Sequence, residues 1–294
     1  MFENINSPIQ KISLAPFENL FVKRDDLIDP FISGNKWRKL KCILIDVKEQ
    51  KKSHLVTFGG AYSNHLVATA AAASRSELKA TAFVRGEQVD NEMLMLCRLF
   101  GMHLIFTDRE SYRDKQLLFD QHFGNNAEAY FIDEGGASPQ AIIGCAEIID
   151  ELPECYDHIF CAAGTGTTAA GLLQGIQTNQ LKTKLHVIPV LKQGDFIRDE
   201  MARYTPISDQ LQLHTGYHFG GYAKTTPMLI TFIKDFTTAT GLLIDPVYTA
   251  KMFYALVDLQ KQGIIKKNEK VLAIHTGGLL GMFGMKDKFK PSWE

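Results

Sequence analysis

Short apolar runs alternate along this chain with longer stretches whose apolar residues recur every three or four positions. The short runs, rich in Val, Ile, Leu and Phe, fall at 54–58, 80–84, 103–107, 129–133, 158–162, 185–190 and 271–275, and their pattern predicts buried strands. The longer stretches at 35–48, 64–74, 91–100, 139–150 and 167–176 carry helical periodicity. A further helix is predicted over 248–260, entered through Asp245-Pro246-Val247-Tyr248 with Pro246 stiffening the approach. Strand and helix taking turns in this way predicts an α/β protein, with open, mostly parallel sheets flanked by helices. No internal repeat or low-complexity tract interrupts the pattern, and its punctuation is local Gly, Pro and Asp.

Size and charge narrow the picture. A chain of 294 residues exceeds the usual single-domain length, so two lobes sharing a cleft are expected. The formal net charge of -1 sets up no field that would favour nucleic acid or an anionic membrane, which leaves a small molecule as the expected partner. Cys42, Cys97, Cys145, Cys155 and Cys161 are odd in number and scattered, as reduced thiols of a cytoplasmic protein would be. No apolar run approaches the roughly 20 residues of a membrane span, and Met1 to Leu20 lacks a signal-peptide core.

In open α/β sheets ligands sit beyond the carboxyl ends of strands, so glycine-rich turns there are the places to search. The first candidate is Val22-Lys23-Arg24-Asp25-Asp26 followed by Ser33-Gly34-Asn35-Lys36-Trp37-Arg38-Lys39-Leu40. It puts Lys36 at a helix start, where the helix dipole with Arg38 and Lys39 disfavours an ammonium and leaves an amine able to attack an aldehyde. The second is Gly59-Gly60-Ala61-Tyr62-Ser63-Asn64-His65. Its free backbone N–H groups and Ser63 hydroxyl suit a carboxylate. The third, Gly164-Thr165-Gly166-Thr167-Thr168, has the makings of an anion cradle: glycines that turn N–H groups inward, three hydroxyls and a helix end. The fourth, His275-Thr276-Gly277-Gly278, is weak alone, as are Tyr222 after Gly220-Gly221 and Tyr248 after Pro246. Each has a plainer reading: an exposed lysine, a helix cap, a ligand-free turn, a core aromatic.

In this order the segments resemble the fold type II pyridoxal-phosphate enzymes, and within them the D-cysteine desulfhydrase and 1-aminocyclopropane-1-carboxylate deaminase family. The stretch K-R-D-D…S-G-N-K-x-R-K-L is the most diagnostic part of a resemblance that runs from about Phe21 to the C-terminal glycines. It implies a two-domain tryptophan-synthase-β-like fold, with a larger cofactor-binding domain from 1–38 and 147–294, a smaller one from 39–146, and the active site between them. Lys36 corresponds to the Schiff-base lysine that carries pyridoxal 5'-phosphate, Asn64 to the neighbour of the cofactor's 3-hydroxyl, and 164–168 to the phosphate loop. Thr276 corresponds to the region facing the pyridine nitrogen, and no metal is implied. Ser63 falls where the family holds the substrate carboxylate and assists proton transfer, with Tyr62, Asn64 and His65 beside it. Tyr222 and Tyr248 match the two active-site tyrosines.

Such an enzyme takes a small amino acid, removes its Cα proton, eliminates a β leaving group and releases pyruvate and ammonia; D-cysteine is the expected substrate. A cytoplasmic homodimer is expected. Deaminases of the cyclopropane substrate read P-V-Y-E-G-K and S-N-Q, whereas this chain reads P-V-Y-T-A-K and S-N-H, so Thr249 and His65 lean toward the desulfhydrase side. Two departures touch the pocket: Tyr62 stands where the family has Gln, and Asp29-Pro30-Phe31-Ile32 replaces a glycine-containing connection. Two rivals remain. One is ring opening of the cyclopropane substrate on the same fold, and the other is a non-catalytic protein that binds the cofactor or an amino acid.

Overall fold

The computed structural model describes residues 5–290. Ten strands form two sheets among these residues. The first contains β1 (Ile9–Lys11), β2 (Leu20–Lys23), β7 (His158–Ala163), β8 (Lys184–Pro189), β9 (Leu211–Leu213) and β10 (Val271–Ile274) in the order β1-β2-β10-β7-β8-β9. Only the β1–β2 pair is antiparallel. The second contains β3 (His54–Gly60), β4 (Lys79–Arg85), β5 (His103–Thr107) and β6 (Ala129–Ile132) in the order β5-β4-β3-β6, all parallel. The chain enters the smaller sheet after helix α1 (Asn35–Glu49) and leaves it before helix α5 (Pro139–Asp150).

Strand periodicity divides the core into layers. On β7, Phe160 and Ala162 face one apolar cluster, while Ile159, Cys161 and Ala163 face another. Helices α8 (Pro227–Thr240) and α9 (Thr249–Lys261) cover the first face; α5 and α6 (Thr167–Thr178) cover the second. In the smaller sheet, Leu55, Ala82 and Val84 face helices α1, α2 (Asn64–Arg75) and α3 (Glu92–Leu99). Val56, Phe58 and Phe83 face α4 (Lys115–Phe123). Each of these buried large side chains contributes about 1.5–3 kcal/mol, so helix and sheet hold each other in place. Burial on both faces also explains why the strands read as continuous apolar runs.

Helices α1 and α5 connect the two sheets, and α6 packs against α5. Packing is close at Gly144 of α5, where an added methyl group would lie 2.0 Å from the Arg38 carbonyl oxygen of α1, and at Gly171 of α6, where one would lie 2.4 Å from the Cys145 Cβ of α5. The orientation of α1 is set by a buried ionic cluster. The Arg38 guanidinium donates to both oxygens of Asp25, at 3.0 and 2.9 Å, and also to Glu151, which takes a bond of 2.7 Å from Lys23. Much of the diagnostic K-R-D-D…R-K stretch is therefore scaffold: Lys23, Asp25 and Arg38 pair here, and Arg24 pairs with Asp26. Arg38 is consequently not a cation that bears on Lys36, which corrects the expectation drawn from its position in the chain.

The replaced connection closes on itself. Asp29 accepts from the N–H groups of Phe31 and Ile32, both at 2.8 Å, so an Asx turn does what a glycine would otherwise do. All five cysteines are free thiols. Among the described residues no helix is long and apolar enough to cross a membrane.

Candidate active site

The four junctions picked out by their sequence meet at the carboxyl ends of β2, β3, β7 and β10. Asn35, the first residue of α1, joins three of them. Its backbone N–H donates to the Thr276 carbonyl at 3.3 Å, and its side chain donates to Thr168 Oγ1 at 2.9 Å. The contact with Thr276 needs a residue without a side chain just before it. Gly34 has a positive φ of 61°, and a methyl group there would lie 1.9 Å from the Thr276 carbonyl oxygen. The remaining junction closes through Asn64, whose Nδ2 would lie 3.0 Å from a methyl group on Gly278.

Lys36 occupies the first turn of α1, as predicted, and its Nζ donates to Asn35 Oδ1 at 3.1 Å. Burial lowers its pKa, the nearby charge of Lys39 lowers it further, and it comes to about 7. Near neutral pH a large share of this side chain is therefore free amine, the nucleophilic form. Lys39 is itself buried and donates to the Gly135 carbonyl at 2.8 Å, fixing the turn after β6. That turn reaches the third junction: a methyl group on Gly135 would lie 3.3 Å from Thr165 Cγ2.

Gly166 precedes α6 in a left-handed conformation, with φ 81°, and no side chain caps the helix. Thr165 and Thr167 share a hydroxyl contact of 3.1 Å, and Thr167 and Thr168 are buried. An uncapped twelve-residue helix with flanking hydroxyls is a ready anion site. Ser63 takes the N-cap position of α2, yet its side chain makes no cap bond. The plain helix-cap reading therefore fails for the hydroxyl, which stays available.

Tyr248 ends the approach to α9, and its backbone is held firmly. The buried Asp245 carboxylate accepts from the N–H groups of Val247, Tyr248 and Thr249, at 2.8 to 2.9 Å. The phenol packs on the glycine loop, 3.2 Å from a methyl group placed on Gly164, and its hydroxyl lies 3.4 Å from that of Tyr222. Desolvation in the cleft, with Tyr222 alongside, raises the Tyr248 pKa well above the usual phenol value, so the phenol stays protonated at neutral pH.

The other predicted residues make contacts of their own. His65 is 2% exposed, its Nε2 lies 2.7 Å from Thr57 Oγ1, and its Nδ1 is buried without a hydrogen-bond partner. Burial, with Lys36 and Lys39 nearby, drives its pKa well down, so the ring is neutral. Tyr62 is exposed and packs against Gly284 in the C-terminal 3-10 segment Leu279–Phe289. Thr249 turns inward, with its hydroxyl on Asp245 at 2.8 Å.

Sequence reasoning passed over the cap made by Asp245 and the Glu134-Gly135-Gly136 turn, whereas the effect it assigned to Lys39 on the Lys36 amine is present. The turn had a legible signal, a glycine pair directly after a strand, as at the other junctions.

A buried amine of lowered pKa, an uncapped helix start and nearby hydroxyls at the ends of parallel strands have the chemistry to fit a phosphorylated aldehyde. The family model described as pyridoxal-phosphate dependent enzyme matches residues 4–277. The chain is 33% identical over 285 residues to a Thermotoga maritima protein provisionally named 1-aminocyclopropane-1-carboxylate deaminase, covering 90% of each. It is 28% identical to the mitochondrial bifunctional D-cysteine desulfhydrase/1-aminocyclopropane-1-carboxylate deaminase of Arabidopsis thaliana, covering 97% of this chain and 79% of that one. A crystal structure described as an ACC deaminase homologue superposes with a TM-score of 0.83 at 30% identity, covering 97% of this chain and 93% of that one. The chain belongs to the fold type II pyridoxal-phosphate enzymes, in the family of D-cysteine desulfhydrase and 1-aminocyclopropane-1-carboxylate deaminase. It is a pyridoxal-phosphate-dependent lyase or deaminase.

The residues present fit the cofactor. Gly166 and the uncapped start of α6 suit its phosphate, and the lowered pKa of Lys36 suits its aldehyde.

Proposed function

We propose that the protein eliminates a β leaving group from a small D-amino acid, with D-cysteine as substrate and pyruvate, ammonia and hydrogen sulfide as products. The observation that carries this reading is the meeting of the segments that bear Lys36, Ser63 and Tyr248: Asn35 bonds Thr168 and the Thr276 carbonyl, Asn64 packs on Gly278, and the Tyr248 ring packs on Gly164. The site lies in a cleft between a domain of residues 1–38 and 147–294 and one of residues 39–146.

In this reading Gly164, Thr165, Gly166, Thr167 and Thr168 hold the cofactor phosphate, Lys36 its aldehyde, Asn64 its 3-hydroxyl, and Thr276 faces the ring nitrogen. Bound there, pyridoxal phosphate supplies the electron sink for charge that develops at the substrate Cα. Ser63 and the 59–64 turn bind the substrate carboxylate, with Tyr62 and His65 shaping the wall behind it. Lys36, as a free amine, takes the Cα proton from one face. Tyr248, with Tyr222 beside it, delivers a proton to the leaving thiolate from the other. Thr276 would offer the ring nitrogen a neutral hydroxyl and no carboxylate, which would suit elimination of a good leaving group.

Replacing Tyr248 by Phe is expected to keep the cofactor absorbance and lower kcat by about 10²–10⁴, the usual worth of a positioned acid–base group. Turnover close to wild type would make the residue a pocket wall and pass its role to Ser63 or Tyr222.

A second reading, opening of the cyclopropane ring, draws support from the relatives named for that reaction. Against it stand Thr249 and His65, where such deaminases carry Glu and Gln. Keto-acid analysis after separate incubation with each substrate decides. Pyruvate from D-cysteine supports the proposal, 2-oxobutyrate from the cyclopropane amino acid alone supports the second reading, and cofactor binding with no keto acid from any amino acid indicates a binding protein.

A further inference from the structure

Lys251 lies on α9, one turn beyond Tyr248, and its side chain is fully buried. Its Nζ donates to three backbone carbonyls: Gly221 at 2.8 Å, His218 at 2.9 Å and Val190 at 3.3 Å. An ammonium has three N–H groups, so its capacity is fully used. Desolvating such a cation is costly, and an apolar residue would fill the same place without that cost. Burial in fact depresses its pKa to about 8.

The carbonyls it gathers belong to two segments. Val190 follows β8 directly, whereas His218 and Gly221 bracket a turn in which Phe219, Gly220 and Gly221 all have positive φ, from 51° to 115°. Tyr222 is the next residue, and its hydroxyl lies 3.4 Å from that of Tyr248. Asp245 anchors one tyrosine at the start of α9, and Lys251 ties the other to the same helix. A second tie, from the Tyr217 hydroxyl to Asp258 at 2.8 Å, sits further along α9.

We propose that Lys251 is a positioning residue for the tyrosine pair: its ammonium draws the 218–221 carbonyls onto α9 and thereby sets the Tyr222 hydroxyl against that of Tyr248. The inference rests on the reading in which that pair moves protons for the reaction. Lys251 spends all three donors on backbone carbonyls and acts through the backbone that carries Tyr222.

The test compares Lys251→Met, Lys251→Gln, Tyr222→Phe and the double variant Lys251→Met/Tyr222→Phe as cofactor-loaded enzymes. Lys251→Met is expected to lower kcat by about 10–10²-fold, as a misplaced group does, with KM within about threefold of wild type. Lys251→Gln, which restores two donors, falls between. In the Tyr222→Phe background Lys251→Met is expected to cost little more, because the two residues share one pathway. An unchanged kcat in an active, folded Lys251 variant overturns the inference, and so do losses that multiply in the double variant.

A second readout does not depend on turnover or on Lys251→Met folding. With 3-fluorotyrosine incorporated, the Tyr222 ¹⁹F resonance, assigned by its loss in Tyr222→Phe, is expected to shift or broaden in Lys251→Gln while distant tyrosines stay fixed. A stationary Tyr222 resonance overturns the positioning role. A wild-type protein that turns over no amino acid overturns the proposed function instead, and the resonance still decides the inference.

Discussion

Lys36→Ala is expected to lower turnover by more than about 10⁴, the upper worth of a single positioned acid–base group, because anchor and base are lost with one side chain. Folding should be little affected, since the lysine's bond within the described residues goes to its neighbour Asn35 and not to the ionic cluster that orients α1. The same account makes a claim about pH. Burial and the charge of Lys39 place the Lys36 pKa near 7. In cofactor-free protein, modification of this lysine by an amine-selective reagent should therefore rise to its plateau through pH 7, more than three units below an ordinary lysine. More than a tenth of wild-type turnover in Lys36→Ala, or a labelling midpoint near 10, would contradict the assignment.

Asp25→Ala is expected to carry the largest stability loss, about 3–5 kcal/mol in urea unfolding, because it removes the buried carboxylate that takes two bonds from the Arg38 guanidinium and leaves that cation with Glu151 alone. Asp25 is fully buried, takes two bonds from Arg38 and receives a third from Ser7 Oγ at 2.6 Å. The cluster should also show in acid. Burial alone would raise the Glu151 pKa, but bonds from Arg38 and Lys23 outweigh it and the net shift is downward. A depressed carboxylate stabilises the fold fully above its unfolded value, and that contribution is lost as pH falls through the lower folded value. Stability should thus drop at acidic pH in wild type and less so in Glu151→Gln. A loss below about 1 kcal/mol for Asp25→Ala would mean that Arg38 finds water or another partner.

How far the sequence could be read depended on the physics at each position. Buried parallel strands advertise themselves, since both faces must be apolar, and every strand predicted from those runs is present within a residue or two. The sheet-edge strands β1 and β9, three residues each, are too short to carry a pattern. Helix α4 was passed over because Leu117, Leu118, Phe119 and Phe123 do not share one face, and only Leu118 is buried. Helix α8 had clear signals at both ends: the Thr226 side chain caps it, Pro227 opens it and Gly241 ends it left-handed.

The site shows the same division. The placement of Lys36, Ser63 and the 164–168 loop at helix starts was legible because it follows from residue type and position at a strand-to-helix junction. Arg38 was misjudged because its partners, Asp25 and Glu151, are distant in sequence or beyond a turn. Lys251 and Asp245 escaped for a related reason. Lys251 bonds only backbone carbonyls that are 30 or more residues away, which nothing in the local sequence announces, and Asp245 acts through the amides of 247–249.

The central claim is that Lys36 carries pyridoxal phosphate, and borohydride reduction of the cofactor-loaded protein followed by peptide mapping tests it most directly. The account predicts a single phosphopyridoxyl label, on the peptide containing Ser33-Gly34-Asn35-Lys36. A label on Lys39, Lys251 or any other lysine, or no label on protein that shows cofactor absorbance, would contradict it.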